Sequence, residues 1–334
     1  MEPTSANARD VRARLLLLTA PYTRPQTRRS LTQLALTLTL WLAAYTAGMV
    51  LIQRSWWLGA ALSAVASLFV VRLFILQHDC GHRSLFPSHK ANDLVGFWLG
   101  VITLTPFRCW RRFHALHHSH TGNLDRRGPG DIVTLTVREY QALPPWQRLR
   151  YRVYRHPLVL LVLGPPLLFL FRHRTTYKVP RDWRTERHSV HLTNVAIATQ
   201  LVGVCLCGQA LPALVFQALM TSLASQIGAW LFYVQHQFPH AYWKREAEWE
   251  HAQASLLGAS HCELPQPLRW ITADIGLHHL HHLNARIPNY RLSECFDRHP
   301  EFTHAPRLGL RDGWRCWRLR LWDEDAQQLV PFPA

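Results

Sequence analysis

Four long apolar segments restrict this chain to folds that a lipid bilayer can accommodate. A helix needs about 20 apolar residues, at ~1.5 Å per residue, to cross the hydrocarbon layer. Segments of suitable length cover residues 31–52, 56–77, 191–208 and 211–235. Because the backbone polar groups of a lipid-exposed segment must be hydrogen-bonded within it, each segment is predicted to be a transmembrane helix.

The connections between these segments predict two helical hairpins. Residues 53–55 join the first pair, and residues 208–210 join the second. Two shorter apolar stretches, residues 91–105 and 158–171, are predicted to be re-entrant or interfacial. A crossing by the second stretch would place the Lys- and Arg-rich residues that follow it outside the cell, against the positive-inside tendency. The predicted fold class is therefore an all-α integral membrane protein with four transmembrane helices, re-entrant or interfacial helices and a cytosolic helical cap.

The charged residues lie outside the apolar segments and predict the topology. Lys and Arg number 37 against 21 Asp and Glu, which gives a net charge of +16. This predicts a basic cytosolic N-terminal arm (residues 1–30), one membrane domain (residues 31–306) and a cytosolic C-terminal tail (residues 307–334). The positive charge would suit anionic lipid headgroups or an acidic partner. No helix-turn-helix, zinc-finger or RNA-binding signature is visible, so nucleic acid is not a predicted partner.

Three histidine motifs are the strongest functional signal. They read His78-Asp79-Cys80-Gly81-His82, His114-Ala115-Leu116-His117-His118 and His278-His279-Leu280-His281-His282. Residues three and four positions apart share one face of a helix, so each motif predicts a one-sided set of imidazoles. The candidate ligands in the motifs are His78, His82, His114, His117, His118, His278, His281 and His282. His236 is added because it closes the fourth apolar segment, at the depth that such a site requires.

Nine imidazoles are more than one metal ion needs, so the sequence predicts a two-metal site. Neutral imidazole suits iron, copper, zinc and nickel rather than calcium or magnesium. Zinc has no redox chemistry, whereas iron with open coordination positions can activate dioxygen. An unactivated hydrocarbon arriving from the bilayer offers no polar handle for hydrolysis, which favours oxidation. The alternative is a histidine-rich patch at the membrane surface.

Ligating imidazoles usually donate their second N–H to a carboxylate or carbonyl, which predicts supporting residues near the motifs. Asp274 lies four residues before His278, on the same face of a continuous helix. Asp79 and Asp125 are also close to motifs in the sequence. His279 falls between candidate ligands and would point away from their face, so it is predicted to act outside the ligand set.

The motifs resemble those of the membrane fatty acid desaturase family, particularly its bacterial and plant acyl-lipid branch acting at Δ12 or omega positions. Besides the three histidine motifs, the resemblance rests on Gly122-Asn123-Leu124-Asp125-Arg126-Arg127-Gly128, Val234-Gln235-His236-Gln237-Phe238 and Arg286-Ile287-Pro288-Asn289-Tyr290. It covers most of the chain, from about Leu31 to Pro306.

The resemblance implies a function. It implies two non-haem iron ions held by the eight motif histidines, with His236 as the ninth ligand, and dioxygen as co-substrate. The reaction would insert a double bond into a fatty acyl lipid or acyl thioester. Electrons would come from a separate ferredoxin-like or b-type cytochrome donor. The protein would be multi-pass in a bacterial inner membrane, with its active site and both termini cytosolic.

Two rival functions remain open at this point. A lipid or carotenoid hydroxylase or ketolase would share the scaffold and the iron chemistry, and differ only in the fate of the substrate. A metal-ion transporter would place ionisable residues inside its spans, near the bilayer midplane. The histidine motifs instead fall at the ends of spans or beyond them, which disfavours transport.

Overall fold

The computed structural model describes residues 5–128 and 130–333 of the chain. The α-helices are α1 (Ser5–Thr19), α2 (Thr27–Ile52), α3 (Trp56–Gly81), α4 (His89–Ile102), α5 (Phe107–His120), α6 (Val137–Ala142), α7 (Pro145–Tyr154), α8 (Gly164–Leu170), α9 (Arg184–Leu206), α10 (Ala210–His236), α11 (His251–Leu257), α12 (Gln266–Ile271), α13 (His278–Leu283), α14 (Asn289–Arg298) and α15 (Leu310–Cys316). A π-helical segment, Leu158–Leu163, precedes α8. The strands are β1 (Leu135–Thr136), β2 (His261–Cys262), β3 (Arg307–Leu308), β4 (Leu321–Asp323) and β5 (Gln328–Val330).

Among the described residues, four single helices are long and apolar enough to cross a membrane, which confirms the prediction of four transmembrane helices. They are α2, α3, α9 and α10, with 26, 26, 23 and 27 residues. Helices α2 and α9 begin four and seven residues before the predicted starts at 31 and 191, because helical hydrogen bonding continues past the apolar stretch into polar residues. The chain is therefore a multi-pass membrane protein.

The first hairpin and α10 form the apolar core of the membrane bundle. Phe216 on α10 is fully buried against α2, where a Cβ added to Gly48 would lie 2.1 Å from the Phe216 ring. Ala66 and Val70 of α3 are buried in the same cluster. Helix α9 packs mainly against α5 and α4 rather than against its hairpin partner α10. The second hairpin is therefore splayed.

The segment from Leu158 to Leu170 enters the bundle and returns to the side from which it came. At the deep end of this segment, Gln226 Nε2 donates to the carbonyl oxygen of Val162 at 3.0 Å. Gln226 lies ten residues before the end of α10 at the cap, which is ~15 Å along the helix. Near its other end, Phe169 contacts Phe74, with ring centroids 6.0 Å apart, one helical turn before the first histidine motif. These contacts agree with the re-entrant interpretation.

The cap contains short strands that the sequence analysis did not predict. β1 pairs in parallel with β4, and β4 pairs antiparallel with β5; β2 pairs in parallel with β3. Strands of two or three residues are too short for apolar alternation to reveal them.

Both ends of the described chain pack into the cap. Leu15 and Tyr22 are buried with Leu280 and Leu292, next to the third histidine motif. At the other end, β4 and β5 complete the sheet that β1 begins. The predicted boundaries at 30/31 and 306/307 therefore fall inside packed structure.

Candidate metal centre

The ends of two spans bring the histidine motifs to one level. His78 lies in the last turn of α3, and His82 is the residue that follows this helix. His236 is the last residue of α10. Helix α5 carries the second motif and α13 carries the third, so these two helices of the cap place their histidines next to the ends of α3 and α10.

Nine histidines meet in two groups. In each group, one ring nitrogen of every member lies within 4.8 Å of those of the others. The first cluster consists of His78, His82, His114, His118 and His281, and the second cluster consists of His117, His236, His278 and His282. The second and third motifs each contribute to both clusters. The clusters contain the nine histidines that were predicted from the sequence, and the other histidines of the described chain lie outside both.

The arrangement of the ring nitrogens fits metal ions. The Nε2 atoms of His236 and His282 lie 3.0 and 3.1 Å from Nε2 of His278. Two ligand nitrogens at right angles around an ion, each about 2.1 Å from it, are about 3.0 Å apart. His82 Nε2 and His117 Nε2 are buried without a hydrogen-bond partner in the described structure. Lone pairs that converge in this way would repel one another unless a cation lay between them.

The cap holds its cluster imidazoles in the form that binds metal. Burial, and secondly the neighbouring imidazoles, keep the pKa values of His114, His118, His281 and His282 well below the usual value for histidine. Neutral imidazole is the ligand form, because protonation occupies the lone pair that would bind the ion.

Two histidines of the second cluster are oriented by acceptors on their Nδ1 side. His117 Nδ1 lies 2.5 Å from Asp131 Oδ1, and His236 Nδ1 lies 3.1 Å from the carbonyl oxygen of Gly258. Because a carbonyl oxygen only accepts, the proton of His236 is on Nδ1 and its Nε2 lone pair points into the cluster. Asp131 was not predicted from the sequence, because it lies 14 residues after His117 and reaches it only where the loop folds back.

Asp79 lies beside the first cluster, as its position in the first motif suggested. Its Oδ1 is 3.5 Å from His78 Nδ1. The backbone N–H and the side-chain amide of Asn289 both donate to Asp79 Oδ2, at 2.8 Å. Asp79 therefore links the end of α3 to the start of α14.

The other predicted supporting residues contact no cluster histidine. Asp274 does not share a helical face with His278, because α13 begins only at His278; its carboxylate pairs with Arg269 at 2.8 Å. Asp125 accepts from Arg245 at 2.7 Å, and its side chain is 41% exposed. His279, which was predicted to support the ligands from outside their set, is buried beside His261 and Phe296 and belongs to neither cluster.

Comparison with known proteins identifies the family. The chain matches the sequence model of the fatty acid desaturase family over residues 54–314. It is 39% identical to a fatty acid desaturase of Bacillus subtilis over 319 residues, which cover 94% of this chain and 89% of the relative. It is 30% identical to an sn-1 oleoyl-lipid 12-desaturase of Synechocystis over 246 residues, covering 71% of this chain and 64% of the relative. It is 24% identical to a chloroplastic omega-6 fatty acid desaturase of Spinacia oleracea over 309 residues, covering 86% and 64%. The chain therefore belongs to the fatty acid desaturase family and is a membrane oxidoreductase that forms carbon–carbon double bonds in fatty acyl chains.

Proposed function

We propose that this protein desaturates the acyl chain of a membrane lipid at a Δ12 or omega position, with two non-haem iron ions and dioxygen. The observation that carries the proposal is the division of nine buried or half-buried histidines into two convergent clusters. The position of the double bond is inferred from the relatives in Synechocystis and Spinacia, which are named as a 12-desaturase and an omega-6 desaturase.

The first cluster would hold one iron ion and the second cluster the other. When bound, the iron pair would supply the redox chemistry by which dioxygen removes two hydrogens from an unactivated hydrocarbon. The protein fixes the number and direction of the imidazoles. Asp131 and Gly258 hold the Nδ1 sides of His117 and His236, so that both Nε2 atoms would be available to an ion in the second cluster.

The overall reaction balances with two external electrons. One –CH2–CH2– unit, one dioxygen molecule, two electrons and two protons give one –CH=CH– unit and two water molecules. We propose that a ferredoxin-like or b-type cytochrome donor supplies the electrons. The net charge of +16 would attract an acidic donor surface.

We propose that the acyl chain approaches from the bilayer, past a group of aromatic rings. Trp110 stacks on His114, with ring centroids 4.6 Å apart, and also contacts Phe74. Phe232 contacts His117 and His236 at 5.1 and 5.2 Å. These aromatic rings are only partly buried, as are His82, His114 and His118 of the first cluster, whereas the second cluster is fully buried. Because the histidines of the first cluster are less buried than those of the second, the opening would lie on the side of the first cluster.

The aromatic rings of Phe74, Trp110 and Phe232 would also favour desaturation over hydroxylation. Loss of the second hydrogen requires that two neighbouring methylenes stay close to the oxidising centre throughout the reaction. Flat, rigid rings restrict the motion of an alkyl chain more than flexible side chains do, and holding the reacting groups in place lowers the barrier.

We propose that the metal centre and both termini face the cytosol of a bacterium, with the spans in its inner membrane. The polar cap carries much of the Lys and Arg, and the positive-inside tendency places such segments in the cytosol. The short connections at residues 53–55 and 207–209 would then lie on the outer side.

The test is expression in a bacterial host of known lipid composition, followed by mass spectrometry of double-bond positions. We expect a new double bond that requires dioxygen and is absent from the His282→Ala variant. Membrane insertion of that variant is checked by fractionation, because a misfolded variant would also be inactive. A hydroxylated lipid without new unsaturation, or product formed under strict anaerobiosis, would refute the proposal.

A further inference from the structure

Arg155, at the end of α7, is the most deeply buried guanidinium in the described part of the chain, with 0% exposure. Its Nη1 donates to Val133 O at 3.3 Å and to Thr134 Oγ1 at 3.4 Å. Its Nη2 donates to Gln237 Oε1 at 2.7 Å and to Leu319 O at 3.1 Å. All four acceptors are uncharged oxygens. Arg155 Nε is buried without a hydrogen-bond partner, so the bonds of Nη1 and Nη2 alone have to offset the cost of burying this charge.

Two of the segments that Arg155 joins lie next to residues of the second cluster or to the carboxylate that supports it. Val133 and Thr134 follow Asp131, whose carboxylate holds His117. Gln237 follows His236 directly and is the C-cap residue of α10. His117, Asp131, His236 and Gln237 also line one small cavity, so these four side chains are neighbours in space as well.

The third segment is near the C-terminus and lies beyond the residues that match the family model, which ends at 314. Besides Leu319 O, this segment offers two further backbone acceptors to buried tyrosines. The single proton of Tyr233 OH is shared between Cys316 O at 3.1 Å and Leu319 O at 2.9 Å. Tyr151 OH donates to Arg320 O at 2.8 Å. Tyr233 precedes His236 by one turn of α10, so the C-terminal segment is bonded to the helix that ends in a cluster histidine.

We propose that Arg155 and residues 316–320 brace the second cluster and act as positioning residues for His117 and His236. The guanidinium is planar and presents its donors in a fixed fork, which lets one side chain hold three segments of chain at once. A lysine ammonium is a single point that can reach some of these acceptors but not all. The brace has no contact with the first cluster, so its loss would affect one cluster and spare the other.

The experiment compares iron binding by purified full-length variants. Arg155→Met removes the brace, Arg155→Lys keeps part of it, and Arg152→Met is the matched control on the same helix. Arg152 is exposed and contacts Tyr140 and the C-terminal end of the chain instead. Tyr233→Phe removes only one hydroxyl group and leaves the packing of α10 unchanged. Iron per chain and iron retention against a chelator are measured on protein that elutes as a single folded species.

We expect Arg155→Met to lose about half of the wild-type iron, because outer partners of metal ligands contribute about 10- to 100-fold in affinity. Arg155→Lys should recover part of this loss, Tyr233→Phe should show a smaller loss, and Arg152→Met should match the wild type. Wild-type iron content in both Arg155→Met and Tyr233→Phe would overturn the proposal. Loss of nearly all of the iron from the folded Arg155→Met variant would overturn it too, because the first cluster should keep its ion.

The role of the brace rests on the proposed iron pair, and iron binding is its readout. If the wild-type protein binds iron but forms no double bond, the proposed function fails while the comparison among variants still decides the role of the brace.

Discussion

Replacing Asp131 by asparagine should weaken iron binding at the second cluster. The Asp131 carboxylate lies 2.5 Å from His117 Nδ1, and the two side chains are only 14% and 2% exposed. A hydrogen bond to a charged group at this burial contributes about 1.5–3 kcal/mol. At ~1.4 kcal/mol per factor of ten, this amounts to about 10- to 100-fold in iron affinity. Asparagine keeps an oxygen acceptor, so we expect the lower end of this range for Asp131→Asn and the upper end for Asp131→Ala.

The assay is competition with a chelator of known affinity, with iron measured in the purified protein. Asp125→Asn is a matched control, because Asp125 lies in the same loop but is 41% exposed and pairs with Arg245. The control should retain wild-type affinity. The reasoning would be refuted if Asp131→Asn bound iron as tightly as the wild type, or if both variants lost affinity equally.

Four further outcomes are expected. Gly100→Ala should lower the free energy of unfolding by about 1–3 kcal/mol, since the added Cβ would lie 2.4 Å from Thr105 O; thermal unfolding in detergent measures this. Asp274→Ala should keep the full iron content, because Asp274 contacts no cluster histidine, and should lower the free energy of unfolding by less than about 1 kcal/mol, because its ion pair with Arg269 is partly exposed. Loss of iron would contradict this. Trp110→Ala should broaden the distribution of double-bond positions, because the ring that stacks on His114 would no longer fix the depth of the acyl chain. Unchanged double-bond positions would show that Trp110 does not contact the acyl chain. The metal-free protein should lose stability as pH falls below about 6.5, because burial lowers the folded-state pKa of imidazoles such as His118 and the unfolded chain then binds more protons. The expected loss is about 1.4 kcal/mol per pH unit for each such imidazole. A melting temperature that does not fall between pH 7.5 and pH 5.5 would contradict this.

The sequence predicted which histidines come together, but not how they are divided. The spacing within each motif fixes a shared helical face, which depends only on local geometry. His117 and His118 are adjacent, however, and neighbouring residues project about 100° apart around a helix. They therefore enter different clusters, and their partners come from distant segments whose arrangement no local spacing encodes.

The supporting residues were harder to predict for the same reason. Asp274 seemed to lie one turn before His278, but Ala273 and Asp274 adopt left-handed backbone conformations, with φ of 47° and 56°. The helix cannot extend through them, so the four-residue spacing carries no meaning there. Asp131 was missed because its approach to His117 depends on how a loop folds back across the cap.

Because the two clusters share motifs, the order of synthesis limits when the metal centre can form. Both clusters need side chains from α13, near the end of the chain, in addition to those on α5. A ribosome that has inserted all four spans has therefore completed neither cluster. Iron can therefore lock the two hairpins together only after α13, which follows all four spans, has been synthesised.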